Sequence, residues 1–195
     1  MSKIAVLSWG SILSDPRNLR VTQEGFIKSD LMLPLEFCRI SSDKRLTICL
    51  SEEYGRLNNV FCATSAFQTL REAINNFGER ENVDLEKIGI VEVSNNRWRN
   101  SEAYQKFPKS CEYIFQWLIE NNFDAAIFSA LGRRFKDVIH VPFSVENAYN
   151  YVNNLRDVDS KKKAFSYLVN VPNNIKTPFR DYFTYNTLRE IILNS

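Results

Sequence analysis

Three short stretches of this chain carry residue types and spacings that can do chemistry. The first is Trp9-Gly10-Ser11-Ile12-Leu13, directly after the apolar run Ile4-Ala5-Val6-Leu7. A glycine at the end of a buried strand lets backbone approach a ligand closely. Successive N–H groups of such a loop form a nest for a carboxylate or phosphate. An ordinary strand-end turn has the same look, and the second glycine and the Gly-Lys-Ser/Thr ending of a phosphate-binding loop are missing. The second stretch is Glu79-Arg80-Glu81. Three charges at a helix end are commonly solvated, but a partly buried carboxylate there shifts toward the range useful for proton transfer. The third is Arg39 within Glu36-Phe37-Cys38-Arg39-Ile40-Ser41-Ser42. An arginine in an apolar strand needs a partner or a pocket. It either clamps a substrate carboxylate or pairs with Glu36 or another acid to hold a hairpin.

Metal and nucleophile chemistry find less support. The chain has one histidine, His140, too few for a His/Cys zinc site of ordinary spacing. It lies in Val138-Ile139-His140-Val141-Pro142, which reads as a short extended segment with a structural role. Cys38, Cys49, Cys62 and Cys111 form no C-x-x-C pair, and three of them fall in apolar, strand-like runs, as buried free thiols do. A cysteine hydrolase would need Cys38 or Cys62 to meet the single histidine. The 195 residues suggest one domain, residues 1–195, with a core that needs no disulfides. A net charge of +2 implies no strong field for nucleic acid. The basic clusters Arg133-Arg134-Lys136 and Lys161-Lys162-Lys163 read as solvated helix ends or faces. No run approaches the length of a membrane span or a signal-peptide core. The expectation is a soluble, cytoplasmic protein with neither nucleic-acid nor membrane partners. Nothing in the pattern sets an oligomeric state.

The elements that must position these residues follow from periodicity. Ile4 to Trp9 reads as a buried strand. Leu33 to Ser41 alternates as a second strand, with Phe37, Arg39 and Ser41 on one face and Glu36, Cys38 and Ile40 on the other. Ser42-Asp43-Lys44 turns it into a third strand, Arg45 to Leu50, and Val60 to Ala63 is a fourth. Ser65 looks like the cap of a helix carrying Ala66, Leu70, Ala73, Ile74 and Phe77, ending near Gly78. Ile88 to Val93 is a fifth strand, Cys111 to Glu120 a helix, and Phe123 to Leu131 an apolar run fit for a central strand. Ser144 caps a further helix, Ser160 to Leu168 forms another, and the aromatic tail from Pro178 to Leu193 ends in a short helical pattern. Strands first and helices later argue for an α+β fold.

In this order and spacing the pieces resemble the gamma-glutamylcyclotransferase-like superfamily over about residues 3–180. The chain looks closest to bacterial members with a Trp-Gly-Ser-Leu-Ile opening, a Phe-x-Arg-Ile-Ser strand, an Arg-Glu after the first helix and a Thr-Pro near the end. These stand here as Trp9-Gly10-Ser11-Ile12-Leu13, Phe37-Cys38-Arg39-Ile40-Ser41, Arg80-Glu81 and Thr177-Pro178. The resemblance implies a small, partly closed mixed β-barrel with packed helices. It implies that backbone amides at Gly10, Ser11 and Ile12 hold a γ-glutamyl group beside Trp9 and Arg39. It implies Glu81, with Glu79 two residues away, as the general acid/base that closes the group to 5-oxoproline and frees an amine or amino acid. No metal or organic cofactor is implied; the partner is a small γ-glutamyl molecule. Residues 94–110 and 132–140 are the loops expected to shape the leaving-group side. Trp9 replaces the family's Tyr, and Asn82-Val83-Asp84 replaces the Gly-Gly-Tyr of ChaC-type enzymes. The alternative that these departures motivate is a non-catalytic module of the same fold, binding a small carboxylate or a protein.

Overall fold

The apolar run at the start of the chain forms β1 (Ile4–Ser8), every residue of it buried, in a computed structural model that describes residues 2–193 and, within the last helix, side chains to residue 187. Its alternation sends Ala5 and Leu7 into one core cluster and Ile4 and Val6 into another, as the two-residue period requires. β1 is therefore an interior strand, covered on both faces. It pairs antiparallel with β4 (Arg56–Thr64) and parallel with β6 (Ala125–Ser129). β2 (Ile27–Ile40) runs antiparallel to β4 and, as expected, forms a hairpin with β3 (Leu46–Leu50). β5 (Ile88–Glu92) pairs antiparallel with β6. The order is β3-β2-β4-β1-β6-β5.

The fold is thus α+β, but the sheet is open. β3 and β5 each have one neighbour and do not meet, so the partly closed barrel is not formed. Helices pack against both edge strands: α7 (Val158–Asn170) against β3 and α3 (Glu102–Lys106) against β5. Covering an edge with a helix is an alternative to closure. On the smaller core, α2 (Leu70–Glu81) lays Ala73 and Phe77 on Ile4, Val6 and Ile127. The larger core holds Leu33, Phe37, Leu50 and Phe128 under α4 (Pro108–Glu120), α7 and α8 (Pro178–Leu193). Short helices α1 (Ser11–Ser14) and α5 (Phe135–Ile139), and α6 (Val145–Asn153), complete the eight α-helices of the described residues.

Two details of α2 differ from the sequence expectation. Ser65 does not cap it; its Oγ accepts from the Phe67 N–H at 3.2 Å, in a short turn. The cap is Thr69, whose Oγ1 accepts from the Glu72 N–H at 3.3 Å. The helix also runs through Gly78 to Glu81. Gly78 is a packing position: a Cβ there would lie 3.1 Å from Leu85 Cδ2 and 3.3 Å from Ile88 Cδ1. The helix stops at Asn82, which takes the left-handed φ of 53° and lets the Val83 N–H close on Gly78 O at 3.2 Å. Elsewhere, Ser144 caps α6 as expected, accepting from the Asn147 N–H at 3.1 Å.

Candidate functional site

β1 and β6 run parallel, so their carboxyl ends open on the same rim of the sheet. Ser8-Trp9-Gly10 leaves one and Ser129 the other, and between them lies a cavity of about 410 Å³. That volume falls within the span of roughly 300–1,000 Å³ typical of small-ligand sites. Trp9, Gly10, Ser11, Ile12, Arg39 and Glu81 all line it. Residues from the first loop, the β2–β3 hairpin and the end of α2 thus meet at one place. Glu79 does not: it is exposed and lines a neighbouring, wider cavity of about 930 Å³.

The first loop reaches the site through close packing. Trp9 itself is buried, its ring tilted against Phe128 at 6.4 Å. Gly10 follows in a tight space: a Cβ there would sit 3.0 Å from the Tyr167 hydroxyl and 3.3 Å from Ile48 Cγ2, so both side chains would have to give way. α1 then begins. The Leu13 N–H turns back to Gly10 O at 3.1 Å, while the N–H groups of Ser11 and Ile12 open the turn without an intrahelical acceptor.

Glu81 projects from the last turn of α2. Its Oε1 accepts from Arg80 Nη1 at 2.5 Å, and the two side chains are 13% and 3% exposed. Arg80 also donates through Nη2 to Asp15 O at 2.5 Å and, more weakly, to Ser11 Oγ at 3.5 Å. One guanidinium therefore ties the carboxylate to the loop that carries the free amides. Burial pushes the Arg80 pKa down and Glu81 pushes it back up; arginine remains charged. A second tie lies one turn earlier, where Asn76 accepts from the Arg20 N–H at 2.8 Å and donates to Asn18 O at 2.9 Å.

Arg39 owes its place to a β-bulge. Glu36 pairs with Cys49 but Arg39 pairs with Thr47, one residue out of step. The extra residue flips the alternation. Arg39 therefore shares a face with Glu36, Thr47 and Cys49, while Phe37 and Ile40 both enter the larger core. The simple alternation expected for this strand is overturned. Arg39 does not pair with Glu36; its Nη1 donates to Gly132 O at 2.6 Å.

Several lining residues carried no functional signal in the sequence. Tyr167 reaches the cavity from α7, where burial pushes its phenol up. Arg134, assigned to a solvated helix end, lines both cavities, as do Arg39, Asn82, Val83 and Leu131. Segments 94–110 and 132–140 do contribute to the wider cavity, through Lys106 and through Gly132, Arg133, Arg134 and Asp137.

His140 is not extended: it is the exposed, left-handed residue after α5, with φ 62°. The four cysteines are free and buried. Burial pushes the Cys62 thiol up to about 12, and Cys38 is raised by its contact with Cys49, 3.4 Å between sulfurs, and by burial. Thiols so shifted are poor nucleophiles. Among the described residues no three His, Cys, Asp or Glu side chains are grouped to hold a metal ion, and no helix is long and apolar enough to cross a membrane. No family model, no curated protein and no solved structure matches the chain.

Proposed function

We propose that the protein is a gamma-glutamylcyclotransferase-like enzyme that closes a γ-glutamyl group to 5-oxoproline. The carrying observation is that Glu81 and the Gly10–Ile12 loop line one cavity and are joined by Arg80. The loop amides hold the γ-glutamyl group folded, and orientation supplies most of the rate. Glu81 takes a proton from the α-ammonium. The freed α-nitrogen attacks the side-chain carbonyl carbon, forming the ring C–N bond. Glu81 then returns that proton to the departing nitrogen as the old amide bond breaks, and the surplus proton of the new ring nitrogen passes to the departing amine, which leaves as an ammonium. Water is not consumed, and the products are 5-oxoproline and a free amine.

The test is 5-oxoproline release from γ-glutamyl amino acids, γ-glutamyl amines and glutathione by wild type and Glu81→Gln. The wild type is expected to release it from at least one compound. The variant should be slowed by about 100-fold or more with its melting curve retained; an undiminished rate in the variant refutes the role of Glu81. A specific observation favours the second reading, a non-catalytic carboxylate-binding module: Arg80 already occupies Glu81 Oε1, as in a structural ion pair. Release of 5-oxoproline from any compound of the panel removes that reading.

A further inference from the structure

Two of the four buried cysteines are not packed as core residues. Cys62 and Cys111 belong to the larger apolar cluster, whereas Cys38 and Cys49 belong to neither cluster. Cys38 and Cys49 lie on the paired strands β2 and β3 at the bulge, with their sulfurs 3.4 Å apart. Their surroundings are polar: the Ser51 hydroxyl and the Glu36 carboxylate act on the Cys38 thiol, and the Arg39 guanidinium interacts with Cys49. Cys49 lines the cavity of about 410 Å³, while Cys38 is wholly buried. One thiol is thus open to small solutes, and the second is held directly behind it. Cys38 keeps its proton, because its contact with Cys49 and its burial both raise its pKa; reaction therefore begins at Cys49. Arg39, Arg45 and Arg134 line the same cavity and make the approach electropositive, the setting in which cysteines react.

We infer that Cys38 and Cys49 form a redox-modifiable dithiol: a hydroperoxide entering the cavity oxidises Cys49, and Cys38 resolves the product to a disulfide. The Cys49 sulfur attacks one peroxide oxygen, the O–O bond breaks, and Cys49 becomes a sulfenic acid. With hydrogen peroxide the other oxygen leaves as water, carrying the Cys49 proton. The Cys38 sulfur then attacks the Cys49 sulfur. The S–S bond forms, the S–O bond breaks, and the hydroxyl departs with the Cys38 proton as a second water. The two sulfurs give up two electrons and the peroxide takes them. In closing, the sulfurs move from 3.4 Å to about 2.05 Å, across the bulge that aims Arg39 into the cavity. The disulfide therefore reshapes the cavity wall, and a dithiol reductant restores it. The dithiol chemistry stands apart from the cyclisation reading; only its effect on turnover rests on it.

The experiment adds hydrogen peroxide to the folded, reduced protein, blocks remaining thiols with iodoacetamide and maps the peptides by mass spectrometry without reductant. A Cys38–Cys49 cross-linked peptide is expected, lost on treatment with dithiothreitol, with Cys62 and Cys111 alkylated only on unfolding. Cys38→Ser should stop at the sulfenic acid of Cys49, trapped by dimedone, and Cys49→Ser should leave Cys38 unmodified. Circular dichroism checks the fold of each sample, and the wild-type map decides alone if a variant does not fold. No cross-link in folded wild type, a cross-link formed only in denaturant, or one through Cys62 or Cys111 overturns the inference. Release of 5-oxoproline by the oxidised wild type should fall by about tenfold or more, the effect of a displacement of about 1 Å at a reacting site, and return with dithiothreitol. An unchanged rate with the cross-link complete overturns the reshaping of the cavity. A reversible cross-link in a protein releasing no 5-oxoproline keeps the dithiol and sinks the cyclisation reading.

Discussion

Arg80 carries more of the site than its place between two glutamates suggests. It is nearly wholly buried, and its guanidinium spans from Glu81 to the backbone carbonyl of Asp15. Among the described residues its Nε has no acceptor, so the desolvation of this cation is offset by those contacts and the weaker one to Ser11 Oγ. A lysine keeps the charge but has no planar fork to reach a carboxylate and a carbonyl in two directions. Arg80→Lys should therefore lower the unfolding free energy by about 2 kcal/mol, the scale of one lost charge-assisted hydrogen bond. A urea midpoint equal to that of wild type would show that the clamp contributes nothing. In the proposed reaction the same variant should lower kcat more than it raises KM, because it loosens Glu81 relative to the loop without removing either.

At the scale of elements, α2 is the part that delivers Glu81, and its start is set by Thr69. The Thr69-Arg71-Glu72 neighbourhood has capping-box spacing: Thr69 Oγ1 accepts from the Glu72 N–H and donates to Glu72 Oε2 at 2.5 Å. Thr69→Ala should cost about 1 kcal/mol, read as a lowered thermal midpoint, while Ser65→Ala should not unwind the helix start. Ser65 misleads because both residues are hydroxyl-bearing and precede the same apolar period; only the chain's path after β4 decides between them. Gly78 misleads for a related reason. Glycine is a common stop signal, yet here Leu85 and Ile88 close on it from the following segment, a tertiary contact that local sequence does not record. The hairpin and the Ser144 cap were legible because turn chemistry and capping are local. The bulge that turns Arg39 toward the site was not, since one extra residue in a strand leaves the composition unchanged. Arg134 was hidden in a basic run that looks like any solvated surface. The Thr177-Pro178 pair becomes intelligible as a helix start: Thr177 Oγ1 accepts from the Arg180 N–H at 3.1 Å, with Pro178 opening α8.

At the scale of the whole molecule, the sequence order of strands and helices indicates α+β, but whether six strands close or stay open depends on what covers β3 and β5, which no single segment encodes. The C-terminal helix is joined to the sheet by Glu36, a fully buried carboxylate on β2. It accepts from the Phe37 N–H at 2.7 Å and from the Phe179 N–H, in the first turn of α8, at 3.1 Å. Burial dominates these bonds and raises its pKa from the ordinary 4.5 to about 7. Below about pH 4.5 the group is protonated in both folded and unfolded chains, and the folded state bears no charge penalty. As pH rises, the unfolded chain releases the proton first, so this group's contribution to stability falls through the window from 4.5 to about 7 and then levels. The total loss is on the order of 3 kcal/mol. Glu36→Gln has no proton to release and should be flat across that window. The difference in unfolding free energy between wild type and Glu36→Gln should accordingly shift against wild type between pH 4.5 and pH 8. Parallel stability profiles for the two proteins would mean that Glu36 is ionised in the fold throughout, held by the α8 amides and by Arg56, and that the last helix is anchored by charge after all.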